Sequence, residues 1–259
     1  MFFDQSVEAD ARGSDCAGQI PETRRGFLSR LGELLFPSGI YCVACGNVID
    51  ETSPYALCDR CLREIDWNTG KVCAKCGKSL EVGRAEDRDA HEEGVPGAGS
   101  DTLCFDCEAG DRVFRRGYAC VTYAGPAREI VRALKYRDRA YIAERLAEIM
   151  RDRILDEIDA ETGEVFAPDL ILPVPMYIIK KRKRGYDQAI LMARRLALWL
   201  RIPCEERCLV RREATAVMSG LSRDARRRNV RDAFALREGA ADRVAGRRVL
   251  LVDDVFTTG

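Results

Sequence analysis

The sequence predicts an α/β domain built on a parallel sheet, preceded by a small metal-binding module held by eight cysteines. Three observations carry this expectation. Four Cys-x-x-Cys pairs crowd into residues 42–107, strand, loop and helix patterns alternate from Tyr118 onward, and the apolar run Val249-Leu250-Leu251-Val252 leads into Asp253-Asp254. Such alternation argues for parallel strands joined by helical crossovers. At 259 residues the chain has length for one large domain or two smaller ones.

Residues 1–25 hold few apolar side chains and many Asp, Glu, Arg, Gly and Ser, so a disordered leader is expected. Phe27, Leu28, Leu31, Leu34 and Leu35 recur at helical spacing before Pro37, which predicts a short amphipathic helix over 26–36. Arg30 and Glu33 interrupt that stretch, and it is too short to span a bilayer. The first 26 residues also lack the apolar core and cleavage site of a secretion signal. The expectation is a cytoplasmic protein with no membrane span.

Residues 37–112 hold the cysteine module. The pairs are Cys42/Cys45, Cys58/Cys61, Cys73/Cys76 and Cys104/Cys107. Two intervening residues let both sulfurs of a pair face one tetrahedral ion about 2.3 Å away. Twelve cysteines would suit disulfides in a secreted chain, but Cys-x-x-Cys units in a cytosolic setting favour metal, with Zn2+ the economical choice. Sequential pairing gives one site from Cys42, Cys45, Cys58 and Cys61 and another from Cys73, Cys76, Cys104 and Cys107; a cross-braced pairing is the alternative. Gly46 and Gly77 directly follow two knuckles, where a tight turn calls for positive φ. Both zinc sites are expected to be structural, because four thiolates leave no open coordination position. Cys16, Cys120, Cys204 and Cys208 have no such partner and read as bystander thiols.

The interval Glu81–Ser100 reads as a charged excursion from the second metal site and carries His91, the one histidine of the chain. A solvated loop residue is the better reading of His91 than a ligand. A single histidine excludes any mechanism needing a His pair and makes a Ser-His-Asp triad a poor fit.

Residues 113–259 form the α/β region. A strand is expected over Tyr118–Tyr123, then helical periodicity through Ile130, Val131 and Leu134 and again through Ile142, Leu146, Ile149 and Met150. A second strand, Leu170–Pro175, meets a basic loop, and a helix follows from about Gln188 to Arg201. The closing run Val249–Val252 has the continuous apolar character of a central strand covered on both faces. Ligands gather at the carboxyl ends of such strands, where Asp253 and Asp254 fall. Carboxylates there can accept from ribose hydroxyls or hold a hydrated Mg2+, and Thr257, Thr258 and Gly259 are small enough for backbone N–H groups to surround a phosphate. That pattern points to phosphoribosyl diphosphate; the plainer alternative is a strand end with two solvated acids. A Walker-type nucleotide site is disfavoured, since Gly77-Lys78-Ser79 has Val72 where the first loop glycine belongs.

Overall charge is balanced at 42 basic and 42 acidic residues, but its distribution is not. Residues 173–234 hold 16 basic and 6 acidic side chains, whereas residues 42–107 hold 7 and 13. One basic cluster is Lys180, Lys181, Arg182, Lys183 and Arg184, flanked by Tyr177 and Tyr186. The other is Arg223, Arg226, Arg227, Arg228 and Arg231. Cations beside aromatics suit a phosphate backbone and stacked bases. The alternative is a solvated face, or cations that hold only a diphosphate.

The knuckles, Leu134-Lys135-Tyr136, Pro173-Val174-Pro175, Arg184-Gly185-Tyr186-Asp187-Gln188-Ala189, the Thr215–Phe234 stretch and Val249–Gly259, in that order, resemble the ComF family of competence-associated proteins. The resemblance runs from about Leu34 to the end. It implies a double zinc ribbon joined to a type I phosphoribosyltransferase-like domain. It further implies that Asp253 and Asp254 face ribose hydroxyls and metal, that Thr257, Thr258 and Gly259 begin the 5'-phosphate cradle, and that Arg184 and Gly185 lie near the diphosphate. Single-stranded DNA, a competence helicase or a DNA-loading protein are the implied partners. An active phosphoribosyltransferase using phosphoribosyl diphosphate, Mg2+ and a nitrogen-base acceptor is the alternative. The chain departs from the family pattern at Asp187, where Asn is usual, adding negative charge beside the basic loop, and at Met218, where Gln is usual. A phosphoribosyl loop also continues past Thr-Thr-Gly into a helix. The expectation for a domain truncated at Gly259 is weak phosphoribosyl diphosphate binding, or none.

Overall fold

A computed structural model describes residues 40–80, 102–110, 112–136, 139–156, 168–212 and 233–256. The expected leader, the helix over 26–36, Cys16 and the excursion with His91 lie outside the described residues. So do Arg223, Arg226, Arg227, Arg228, Arg231, Met218, Thr257, Thr258 and Gly259.

The metal module alternates knuckle turns with short helices. Cys58 stands just before α1 (Asp59–Glu64) and Cys104 just before α2 (Phe105–Glu108), so the second cysteine of each pair comes around on the first helical turns. Gly77 takes φ +69°, and a Cβ there would lie 2.6 Å from the Gly117 carbonyl oxygen. Only glycine fits that turn, which closes with Gly77 N–H donating to Cys73 O at 2.9 Å.

The rest is α3 (Gly125–Ala133), α4 (Ile142–Leu155), β1 (Leu170–Pro173), α5 (Ile178–Arg184), α6 (Gln188–Leu200), β2 (Leu209–Arg211), β3 (Phe234–Leu236), α7 (Ala241–Val244) and β4 (Val249–Val252). In α3 the buried Ala127, Ile130 and Val131 lie three and four apart on one face, and Pro126 occupies the first turn, where its missing N–H costs nothing. Asp187 begins α6: it accepts from Ile190 N–H at 3.5 Å and from Met176 N–H at 3.1 Å. Asp187 is buried and caps α6 through these backbone donors, which stabilise its charge rather than remove it.

β1 and β4 run parallel, with Leu170 opposite Val249 and Pro173 opposite Val252. Asp169 sets the start of this pairing by accepting from Arg248 N–H at 2.8 Å and from its guanidinium at 3.0 Å. On its other side β1 bridges to Cys204, with Ile171 N–H donating to Pro203 O and Glu205 N–H to Ile171 O, both at 2.9 Å. The centre is thus β1, buried throughout. β4 is not the doubly covered strand its apolar run predicted: among the described residues its one strand neighbour is β1, and Leu251 is 51% exposed. β2 and β3 pair antiparallel as a separate ribbon.

Two further expectations are corrected. The segment Tyr118–Tyr123 does not join the parallel sheet; it lies against the link between the two metal sites, with Val121 bridging Trp67, Asn68 N–H donating to Cys120 O at 3.0 Å and Thr122 N–H donating to Asp66 O at 2.9 Å. Residues Lys180–Arg184 are not a loop but the body of α5, closed by Gly185 at φ 91°. Positive charges in a last helical turn face the carbonyl end of the helix, which offsets their mutual repulsion.

One apolar cluster runs through both regions, with smaller ones about Leu170 and Leu172 and about the second metal site. Val43, Leu57, Cys61 and Ile65 of the metal module pack in one cluster with Ile130, Leu134, Ile142, Met192 and Leu196. Tyr55 fastens the seam by donating to Asp152 of α4 at 2.9 Å, and burial together with that carboxylate pushes its phenol up to about 12.

Candidate functional site

The eight knuckle cysteines gather as two groups of four, Cys42/Cys45/Cys58/Cys61 and Cys73/Cys76/Cys104/Cys107, each with all sulfurs within 4.8 Å of one another. Pairing is therefore sequential rather than cross-braced. Tetrahedral thiolates about 2.3 Å from zinc stand about 3.8 Å apart, and Cys45–Cys58 and Cys76–Cys104 both measure 3.7 Å. Both sites fit zinc. Burial opposes ionisation of Cys42, but amide donors from Cys58, Cys45 and Ala44 outweigh it and bring the thiol down to about 7. Cys73 follows the same logic to about 6, with the Cys104 N–H reaching its sulfur at 3.2 Å. Burial and neighbouring sulfurs push Cys61 and Cys107 up in the absence of a metal charge. Among the bystanders, burial raises Cys120 to about 12 and Cys204 to about 11, so both remain thiols.

At the carboxyl end of β4, Asp254 N–H donates to Asp253 Oδ1 at 2.8 Å, turning both acids out of the strand. Crowding by the surrounding chain, then the adjacent Asp254 charge, pushes the Asp253 carboxyl well above the usual carboxylate range. Its surface stays open to solvent, which moderates the crowding and leaves the Asp254 charge as the firmer cause.

The acidic turn meets the basic helix through a residue that sequence reasoning quoted but gave no role. Gln188 donates from Nε2 to Asp254 Oδ2 at 2.9 Å, and its Oε1 accepts from Arg184 Nη1. Arg184 and Gly185 at the end of α5, and Asp253 and Asp254 after β4, are thereby brought together. Lys180, Arg182 and Lys183 line the exposed side of α5, with Lys181 partly buried. The signal for Gln188 was a polar side chain in the first turn of an apolar helix, directly after its capping Asp187.

Phe256 ties the same turn to the second metal site. Its ring stands edge-on to Phe114 at 6.0 Å, with Arg112 at 5.1 Å and Lys78 at 5.2 Å from its centroid. Arg112 also donates to the Cys107 sulfur at 3.1 Å and lies 3.6 Å from Asp106. No local signal marks the meeting of Arg112 with Phe256, since the two come from distant segments. Arg223, Arg226, Arg227, Arg228 and Arg231, with Thr257, Thr258 and Gly259, receive no placement from the described residues.

Paired four-thiolate sites on a small module that shares its core with a mixed α/β domain define the class: a double zinc ribbon protein. The double zinc ribbon domain family matches residues 31–108. Over 219 residues the chain is 28% identical to "Competence protein F" of Haemophilus influenzae, covering 84% of this chain and 85% of that one. It is 29% identical over 204 residues to "DNA utilization protein YhgH" of Escherichia coli O157:H7, covering 78% and 86%. No solved structure gives a significant match. These matches support the resemblance to the ComF family carried by the motifs.

Proposed function

We propose that the protein assists uptake or processing of single-stranded DNA in the cytoplasm, in keeping with the competence and DNA-utilization names of its relatives. The observation that carries this reading is α5, a helix with basic side chains at every position from Lys180 to Arg184 and Tyr177 and Tyr186 at its ends. Cations track a phosphate backbone and aromatics stack bases without regard to sequence. No helix among the described residues is long and apolar enough to cross a membrane. A competence helicase or DNA-loading protein is the proposed protein partner. Neutralising Lys181, Arg182 and Lys183 together should weaken binding of a labelled oligothymidylate and flatten the slope of log affinity against log salt by about 2, at about 0.7 per phosphate contact. An unchanged slope would sink the DNA role of α5.

A second reading has its own observation, the Arg184–Gln188–Asp254 connection beneath the acidic turn. In a type I phosphoribosyltransferase-like domain this arrangement would place a cation and two carboxylates about a phosphoribosyl diphosphate and its Mg2+, with Thr257, Thr258 and Gly259 beginning the phosphate cradle. Chemistry there would come from positioning and charge stabilisation of an oxocarbenium-like state. Calorimetry with phosphoribosyl diphosphate and Mg2+, on a chain carrying the residues that complete the phosphate loop after Gly259, should register binding that Asp253→Asn plus Asp254→Asn abolishes. Equal binding by the double variant would remove the acids from the site.

A further inference from the structure

We infer that the open groove between the first cysteine knuckle and the carboxyl end of α3 is a second binding surface for single-stranded nucleic acid, with Tyr136 as its stacking platform. This rests on the DNA-handling reading and extends it to residues that no motif placed at an interface. The groove measures about 950 Å³, and its lining includes Ala44 of the knuckle, Glu129 and Arg132 of α3, and Lys135, Tyr136 and Arg139. Among the described lining residues Glu129 is the one carboxylate, and it is engaged by Arg132 at 3.0 Å and Arg128 at 3.7 Å. Lys135 and Arg139 have no carboxylate partner among the described residues, and both are exposed. The described lining of the groove is therefore cationic.

Tyr136 is 66% exposed, a large ring left in water between two cations. Its backbone is nevertheless fixed: the Tyr186 hydroxyl donates to the Tyr136 carbonyl at 2.6 Å and lies against the Leu134 carbonyl as well. A held backbone with an open ring is suited to stacking, because little ordering cost remains to be met on binding. Tyr186 also directly follows Gly185 at the end of α5, so the groove and the basic helix adjoin through one residue. Cations near the end of α3 could serve that helix dipole alone. Arg139 lies beyond the helix, its N–H donating to the Tyr136 carbonyl at 3.1 Å, so that dipole does not account for its place in the groove lining.

The test is fluorescence anisotropy of the full chain with a labelled oligothymidylate over a salt series. Lys135→Ala plus Arg139→Ala should lower affinity at low salt and reduce the slope by about 1.4, two contacts at about 0.7 each. Tyr136→Leu should cost about tenfold in affinity with the slope unchanged, since stacking releases no counterions. All three side chains are exposed, so thermal melting should match the parent. Parental affinity and slope in the double variant, while the Lys181, Arg182 and Lys183 variant loses binding, would overturn the groove and leave the DNA role of α5 standing. Parental affinity in Tyr136→Leu would overturn a nucleic-acid surface in favour of a general polyanion one. Failure of the parent to bind the oligomer at all would overturn both readings.

Discussion

Gln188 holds Asp254 through a 2.9 Å hydrogen bond across 66 positions of sequence, and through its other end accepts from Arg184. One amide thus orients both a carboxylate and a guanidinium without adding charge. Gln188→Leu leaves a part-buried acceptor and donor without this partner and should cost about 1–3 kcal/mol in urea unfolding. Gln188→Glu should be worse near neutrality, where it sets a carboxylate against Asp254, and should recover as pH falls and one of the pair takes up a proton.

The raised carboxyl of Asp253 predicts a pH dependence with a definite sign. The folded state keeps a proton that the unfolded chain releases near the ordinary carboxylate value of 3.8, so folded protein binds more protons just above that pH. Stability from this group falls as pH rises from there through the raised folded value. Asp253→Asn should therefore stabilise the protein at neutral pH, with the advantage fading in acid. Denaturant titrations at several pH values measure it, and a constant difference across pH would contradict the sign.

Elemental analysis should find about two zinc ions per chain, falling to about one in Cys42→Ser or Cys73→Ser. The two losses should differ in reach. Cys42 and Cys61 pack with Met192 and Leu196, so losing the first ion should lower the melting temperature of the α/β elements as well. Circular dichroism melts of the two variants should therefore separate.

Phe256→Ala should keep both zinc ions and cost about 1 kcal/mol, the scale of one aromatic pair together with partly exposed cation contacts. Its specific mark is local: amides of 253–256 should exchange hydrogen faster than in the parent, while those of β1 should not.

The parts legible in the sequence are those whose physics is local. Two-residue spacing dictates how a cysteine pair meets a metal, so the eight ligands and the glycine turns could be read directly, while the choice between sequential and cross-braced pairing depends on the fold. Leu170–Pro173 and Gln188–Leu200 declared themselves by apolar run and by period. Five consecutive cations suggested a loop, because repulsion is visible in sequence while the compensating helix end and Gly185 at φ 91° depend on backbone geometry. The apolar pattern of Tyr118–Tyr123 suggested a strand, but the segment makes only an isolated bridge, Val121 to Trp67, and hydrogen bonds to the Asp66–Asn68 link. The contacts of Gln188 with Asp254 and of Arg112 with Phe256 join segments far apart in the chain, and no spacing announces such pairs.

The pairing of Trp67 with Val121 carries a consequence for biogenesis. Chains emerge from the ribosome amino end first, so the cysteine module is available to capture zinc while the α/β region is still being made. Asp66 and Asn68 then stand ready as a template when Thr122 and Cys120 arrive. Metal supply during translation thereby becomes a condition for laying down the later half of the molecule, and zinc starvation should lower the yield of folded protein before it touches any preformed copy.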